Sequence, residues 1–122
     1  MKVNYAIVFV SDMSRSVAFY RDTLGLPLRF ESAEWTEFAT TGSTIALHAT
    51  NTKRNVPDDP LNTPAGSCRT GFCVPDLSAY HRRLVALGVV CAQEPKNVHG
   101  AKIAMYVDPD GMGISVSEER KS

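Results

Sequence analysis

No surplus of either charge marks this chain. Thirteen basic side chains (Lys+Arg 13) stand against Asp+Glu 13 in 122 residues, so no basic face is implied and nucleic acid is not a partner to expect. No apolar run is long enough to cross a bilayer, and no membrane partner is expected. The opening "MKVNYAIVFVSD" has one Lys and too short an apolar run for a secretory leader, and it reads as a strand. Cysteine is scarce: Cys68, Cys73 and Cys91 show no C-x-x-C spacing. An odd count without a secretory signal points to reduced thiols in a cytoplasmic protein, each acting as a small buried hydrophobe. The glycines are spaced as turns, so a phosphate-cradling loop is excluded, and no paired nucleophile and base can be read.

What remains is periodic. In residues 3–10, Tyr5, Ile7 and Phe9 alternate with Asn4, Ala6 and Val8, as in a strand. Met13, Val17, Tyr20 and Leu24 then recur at helical spacing, with Asp12 as N-cap and Gly25 as the stop. Strands are expected at Leu28–Ser32, Trp35–Thr40 and Thr44–Thr50. The polar stretch "NTKRNVPDDPLNTPAG", Asn51–Gly66, is a long loop, either linker or lid. The pattern then restarts. A strand in "SCRTGFCV" precedes a helix that Asp76 caps and Gly88 ends, with Leu77, Tyr80, Leu84 and Leu87 as its stripe. Strands follow near Cys91–Glu94, Ala101–Val107 and Gly113–Glu118.

The restart is an internal repeat: Val10 matches Val74, Asp12 matches Asp76 and Gly25 matches Gly88. Each half reads β-α-β-β-β. The expectation is therefore an α+β fold in a single domain over 1–122: two tandem βαβββ modules forming one cupped, barrel-like mixed sheet with helices outside. Module one spans 1–52, the loop 53–65 and module two 66–120. A ligand would sit in the concavity.

Two stretches carry a family likeness. "VSDMSRSVAFYRDTLGL" opens the first module, and the D-P-D-G turn of "YVDPDGMGISV" closes the second. Together they resemble the vicinal oxygen chelate superfamily of glyoxalases, bleomycin-resistance proteins and extradiol dioxygenases, over roughly Val3 to Glu118. In its metal-using members, two inward side chains per module, His, Glu or Gln, clasp a divalent ion. The resemblance carries those positions onto Tyr5, Ala46, Arg69 and Ser115. Tyr would have to lose its proton, Arg repels a cation, Ala offers nothing and Ser binds weakly. The expectation is no metal and no cofactor, with a divalent ion as the lesser alternative.

Recognition then falls to other side chains. His48, on the face of Ala46, is a ligand contact or general base, or else a hydrogen-bonded rim histidine. Arg69 grips an anionic oxygen, or pairs with an acid such as Glu37. Tyr5 and Trp35 supply stacking walls, or pack in a core. Glu37 shares the face of Trp35 and is the second candidate base. His99 and Lys102 belong to a loop that relatives place at the mouth of the site. Met105 and Tyr106 alternate, so one of them faces inward, and Ser115 completes the candidates. His81, beside Arg82 and Arg83, reads as solvated. The resemblance thus implies a metal-independent small-molecule-binding protein; the alternative is a glyoxalase-like lyase or isomerase, or a dioxygenase-related enzyme, acting on a small oxygenated substrate. Relatives also imply a homodimer.

Overall fold

Both helix starts are capped as their residues require. Asp12 and Asp76 sit in extended backbone, and each carboxylate accepts a 3.0 Å hydrogen bond from the amide three residues on, Arg15 N and Ala79 N. The computed structural model describes residues 1–52 and 59–120. Of the long polar loop, residues 53–58 lie outside the described residues. Two compact units divide the chain, Met1–Asn55 and Val56–Ser122.

The first unit contains β1 (Tyr5–Val10), α1 (Met13–Ala18), β2 (Leu28–Glu31), β3 (Trp35–Phe38) and β4 (Thr44–Ala49). α1 runs on as a π-helical turn over Phe19–Thr23, closed by Leu24 N donating to Phe19 O at 2.8 Å. The strand order is β1-β4-β3-β2, with β1 parallel to β4 and the other pairs antiparallel. Val8, Val10, Phe38, Ile45 and Leu47 point to one side and are buried with Val17, Tyr20 and Leu24 from the helical segment. That side is the core; the other carries Tyr5, Ile7 and Phe9.

The second unit repeats the plan: β5 (Gly71–Val74), α2 (Leu77–Ala86), β6 (Cys91–Val98), β7 (Ala101–Val107) and β8 (Gly113–Glu118), in the order β5-β8-β7-β6. Both βαβββ modules are therefore present, each with its own four-stranded mixed sheet. β6 is longer than the sequence suggested. It continues through Pro95, which an edge strand tolerates at a register shift between Gln93 and Lys96. The D-P-D-G turn is organised by Asp108, whose Oδ1 accepts from Asp110 N at 3.0 Å and Met112 N at 2.8 Å. Gly111 takes the left-handed conformation there, φ 84°.

The cysteines depart from expectation. Cys68 and Cys73 are exposed, and only Cys91 is partly covered, its thiol pushed up by burial. Cys73 is exposed because β5 places it on the side of its sheet away from Val116 and the core.

Candidate functional site

Strand register builds a row of rings on the uncovered side of the first sheet. β1 pairs with β4 so that Tyr5 lies beside Thr44, Ile7 beside Ala46 and Phe9 beside His48. β3 pairs with β4 so that Trp35 lies beside His48 and Glu37 beside Ala46. All of these therefore share one face. Tyr5 meets Trp35 edge-on at 6.2 Å, Trp35 meets His48 edge-on at 6.0 Å, and His48 meets Phe9 at 5.4 Å. Aromatic pairs favour these geometries. The row stays open: Phe9 is 60% and Tyr5 50% exposed. Its aromatic surface thus remains available rather than being spent on the core.

Trp35 is held by a neighbour on its own face. Its Nε1 donates to Glu37 Oε2 at 2.9 Å, which restrains the indole before any ligand arrives. Glu37 Oε1 lies 3.8 Å from Arg29 NH1, and the same Arg29 nitrogen donates to Thr44 Oγ1 at 2.9 Å. Arg29 reaches this face because β2 carries one extra residue between the pairs Leu28–Phe38 and Phe30–Glu37. Such a bulge re-aims a side chain. Asn4, Tyr5, Arg29, Trp35, Glu37 and Thr44 enclose a cavity of about 320 Å³. Arg29, Asn4 and Thr44 were not among the sequence candidates. The only hint was a charge between Leu28 and Phe30.

His48 is exposed, and its Nδ1 bonds Ala49 O at 2.7 Å. A carbonyl only accepts, so Nδ1 carries the hydrogen and Nε2 is the ring atom left for a ligand. His48 and Glu37 are thus on one face with the rings, which the pairing of β3 with β4 decides.

The remaining candidates lie in the second unit and have other employment. Arg69 NH2 donates to Pro60 O at 2.7 Å and to Thr63 Oγ1, while NH1 approaches Met105 Sδ at 3.7 Å. It ties down the chain just before it. Ser115 lies beside Gly71 and Met105, and all three share a face. Tyr106 requires a correction. It points to the opposite, helix side of the sheet, fully buried, because Met105 takes the Ser115 face and successive side chains alternate. There its hydroxyl shares a 2.8 Å hydrogen bond with His81 Nδ1, so His81 is not merely solvated. Burial pushes the Tyr106 phenol up to about 12. His99 lies in a tight turn. With Gly100 it forms the two-residue turn between β6 and β7, φ 50° and 82°, the left-handed pair of a type I′ hairpin. Lys102 Nζ donates to Ser78 Oγ at 2.5 Å and lies 4.0 Å from Glu118, whose Oε2 accepts from Leu77 N. A depression of about 500 Å³ near His99, Lys102, Glu118 and Arg120 opens more widely and has no Phe, Tyr or Trp in its lining.

The donor set does not fit a chelated divalent ion. Among the described residues no group of three or more His, Cys, Asp or Glu comes together. Around His48 the near neighbours are the rings of Phe9 and Trp35, which are not metal donors.

Comparison with known proteins agrees with the fold. The chain is 27% identical over 118 residues to the uncharacterized protein YraH of Bacillus subtilis (strain 168), covering 90% of this chain and 92% of that one. Among solved structures, a glyoxalase/dioxygenase from Nostoc punctiforme superposes with TM-score 0.84 at 19% identity, covering 98% of this chain and 92% of that one. TnmS3, an antibiotic binding protein from Streptomyces sp. CB03234, gives TM-score 0.74 at 27% identity, covering 98% and 97%. No helix among the described residues is long and apolar enough to cross a membrane. With its two βαβββ modules, and a family model matching residues 2–116, the chain belongs to the Glyoxalase/Bleomycin resistance protein/Dioxygenase superfamily.

Proposed function

We propose that this protein binds a small aromatic molecule without a metal, on the open face of its first sheet. The observation that carries the reading is the row Tyr5–Trp35–His48–Phe9 beside a cavity edged by Arg29 and Glu37. Rings give a flat ligand its affinity, and a few polar groups fix its orientation. The likeness to TnmS3, an antibiotic binding protein, favours a drug-like aromatic ligand. Trp35 and Tyr5 stack, Glu37 holds Trp35, and His48 Nε2 meets a ligand donor. Arg69, Ser115 and His99 have no part in this pocket, whose lining comes from the first unit alone.

A glyoxalase-like lyase or isomerase would need Glu37 or His48 as base. Glu37 Oε2 already accepts from the Trp35 indole and Oε1 faces Arg29, so only its remaining lone pairs could take a proton. We also propose a cytoplasmic homodimer: the three thiols are unbridged, and Val85, Leu87 and Val90 of the second unit leave apolar surface for a second copy to cover.

Trp35 is the only tryptophan in the chain, so its emission reports directly on the site. Titration with a panel of planar aromatic antibiotics is expected to quench it saturably. Absence of any response across the panel would sink the reading, as would a stoichiometric transition metal in protein purified without added metal. Sedimentation as a monomer at micromolar concentration would remove the dimer.

A further inference from the structure

We infer that the pocket selects flat ligands that are uncharged and carry a hydrogen-bond donor and an acceptor on the same edge, as a cyclic amide does. The inference rests on the binding reading above and names the ligand class for that site. Its basis is the juxtaposition of one cation and one anion, Arg29 and Glu37, at the rim of an aromatic wall.

The two side chains are mutually placed before any ligand binds. Thr44 Oγ1 holds Arg29 NH1 at 2.9 Å, and the Trp35 indole holds Glu37 Oε2 at 2.9 Å. Their facing atoms, NH1 and Oε1, stand 3.8 Å apart, close enough for mutual attraction but too far for a direct hydrogen bond. The pair is half-open, with side chains 51% and 32% exposed. Other guanidinium N–H groups of Arg29 and further lone pairs of Glu37 therefore remain for a ligand edge.

Charge decides which edge fits. A carboxylate drawn to Arg29 would lie against Glu37, and a cation drawn to Glu37 would lie against Arg29. Each ion gains one contact and meets one like charge, which is how a site rejects the wrong partner. A neutral edge that donates to Glu37 and accepts from Arg29 satisfies both and leaves no charge uncompensated. A hydrocarbon of the same shape would stack on Trp35 and leave both rim groups facing an apolar edge, losing their hydration without replacement. Tyr5 and Asn4, on the same cavity wall, add polar groups that carry no net charge.

The test uses the intact protein and four bicyclic probes of similar size: 2-quinolinone, 2-naphthoate, N-methylquinolinium and naphthalene. Binding is read by Trp35 emission and by calorimetry, the second being free of optical interference. 2-Quinolinone is expected to bind about tenfold or more tighter than each of the other three, the separation that one or two hydrogen bonds to charged groups supply. Arg29→Gln should then raise N-methylquinolinium above 2-naphthoate, and Glu37→Gln should do the reverse. Equal affinity for all four probes would overturn the selection while leaving the stacking site intact. Tightest binding of either ion would overturn it too, by showing that one charge of the pair dominates. No binding of any probe would instead remove the site itself. The wild-type ranking decides even if a variant fails to fold.

Discussion

The two modules share a backbone plan and spend their equivalent side chains in opposite ways. Seven residues before the cap, Tyr5 stands in module one and Arg69 in module two; three before it, Phe9 and Cys73. In the last strands, Ala46 and His48 lie beside Ile7 and Phe9 in module one, and Ser115 and Ser117 beside Gly71 and Cys73 in module two. The neighbouring strand offers Glu37 and Trp35 in the first, Met105 and Ile103 in the second. The first face is a line of rings with a charged rim. The second has Met105, Ile103 and two serines in those places, and its Arg69 holds Pro60 and Thr63. The repeat preserves what folding needs, namely caps, register and the helix-side core, and leaves the other face free to diverge. A binding site needs only one such face.

The widest separation between the faces should come from matched truncations. Trp35→Ala removes the centre of the ring row and is expected to weaken 2-quinolinone at least about thirtyfold, as loss of an aromatic anchor does. Ile103→Ala, at the equivalent place, should leave calorimetric affinity unchanged. Equal losses from both would mean that the site is not confined to the first module. Next in size is Gly113→Val. A Cβ there would stand 3.0 Å from both Arg69 Nε and Pro60 Cβ. Overpacking of this kind costs about 1–3 kcal/mol, readable as a lower urea midpoint. The same variant should expose residues 59–66 to protease while ligand affinity at the first face stays put. Unaltered proteolysis would show that Arg69 does not hold that segment.

Tyr106 separates the modules by pH. Its phenol ionises near 10 in the unfolded chain and is pushed up to about 12 by burial in the fold. Above pH 10 the unfolded chain has lost the proton that the folded one keeps, so stability falls as pH rises from 10 towards 12. Tyr106→Phe should flatten that alkaline limb in urea melts. Some slope will remain, because burial raises Tyr80 as well. A limb as steep as that of the wild type would exclude Tyr106 as its cause. The smallest contrast is an expected equality. Asp12→Ala and Asp76→Ala each remove a 3.0 Å cap in near-identical backbone, and each should cost about 1 kcal/mol. A clear inequality would show that the two helix starts are supported differently.

Much of the fold was legible because its signals are local. Asp12 and Asp76 announce helix starts, Gly25 and Gly88 announce stops, and the alternation of Tyr5, Ile7 and Phe9 announces a strand with an uncovered side. Parity set Trp35 with Glu37 on one strand and His48 with Ala46 on another, and the pairing of β3 with β4 put both sets on one face. Parity could not choose between Met105 and Tyr106, since either side of a strand can be the core until its neighbours are known. β8 and α2 made that choice, and His81, twenty-five residues away in sequence, supplied the partner of the Tyr106 hydroxyl. Arg29 was missed for a related reason: a bulge shifts parity by one and exists only as a mismatch between two strands. The extension of β6 through Pro95 was missed because an edge position, which excuses a proline, is a property of the sheet.

By itself, the sequence determined the repeat, the helix termini, the strand alternation and the shortage of metal donors at four aligned positions. These depend on residue type and on short spacings, which the chain carries with it. Only the tertiary structure decided that Arg29 joins Glu37, that Arg69 is spent on Pro60 and Thr63, and that Tyr106 is buried. Each of those outcomes is set by how strands and loops pack against one another, whose register no local pattern encodes.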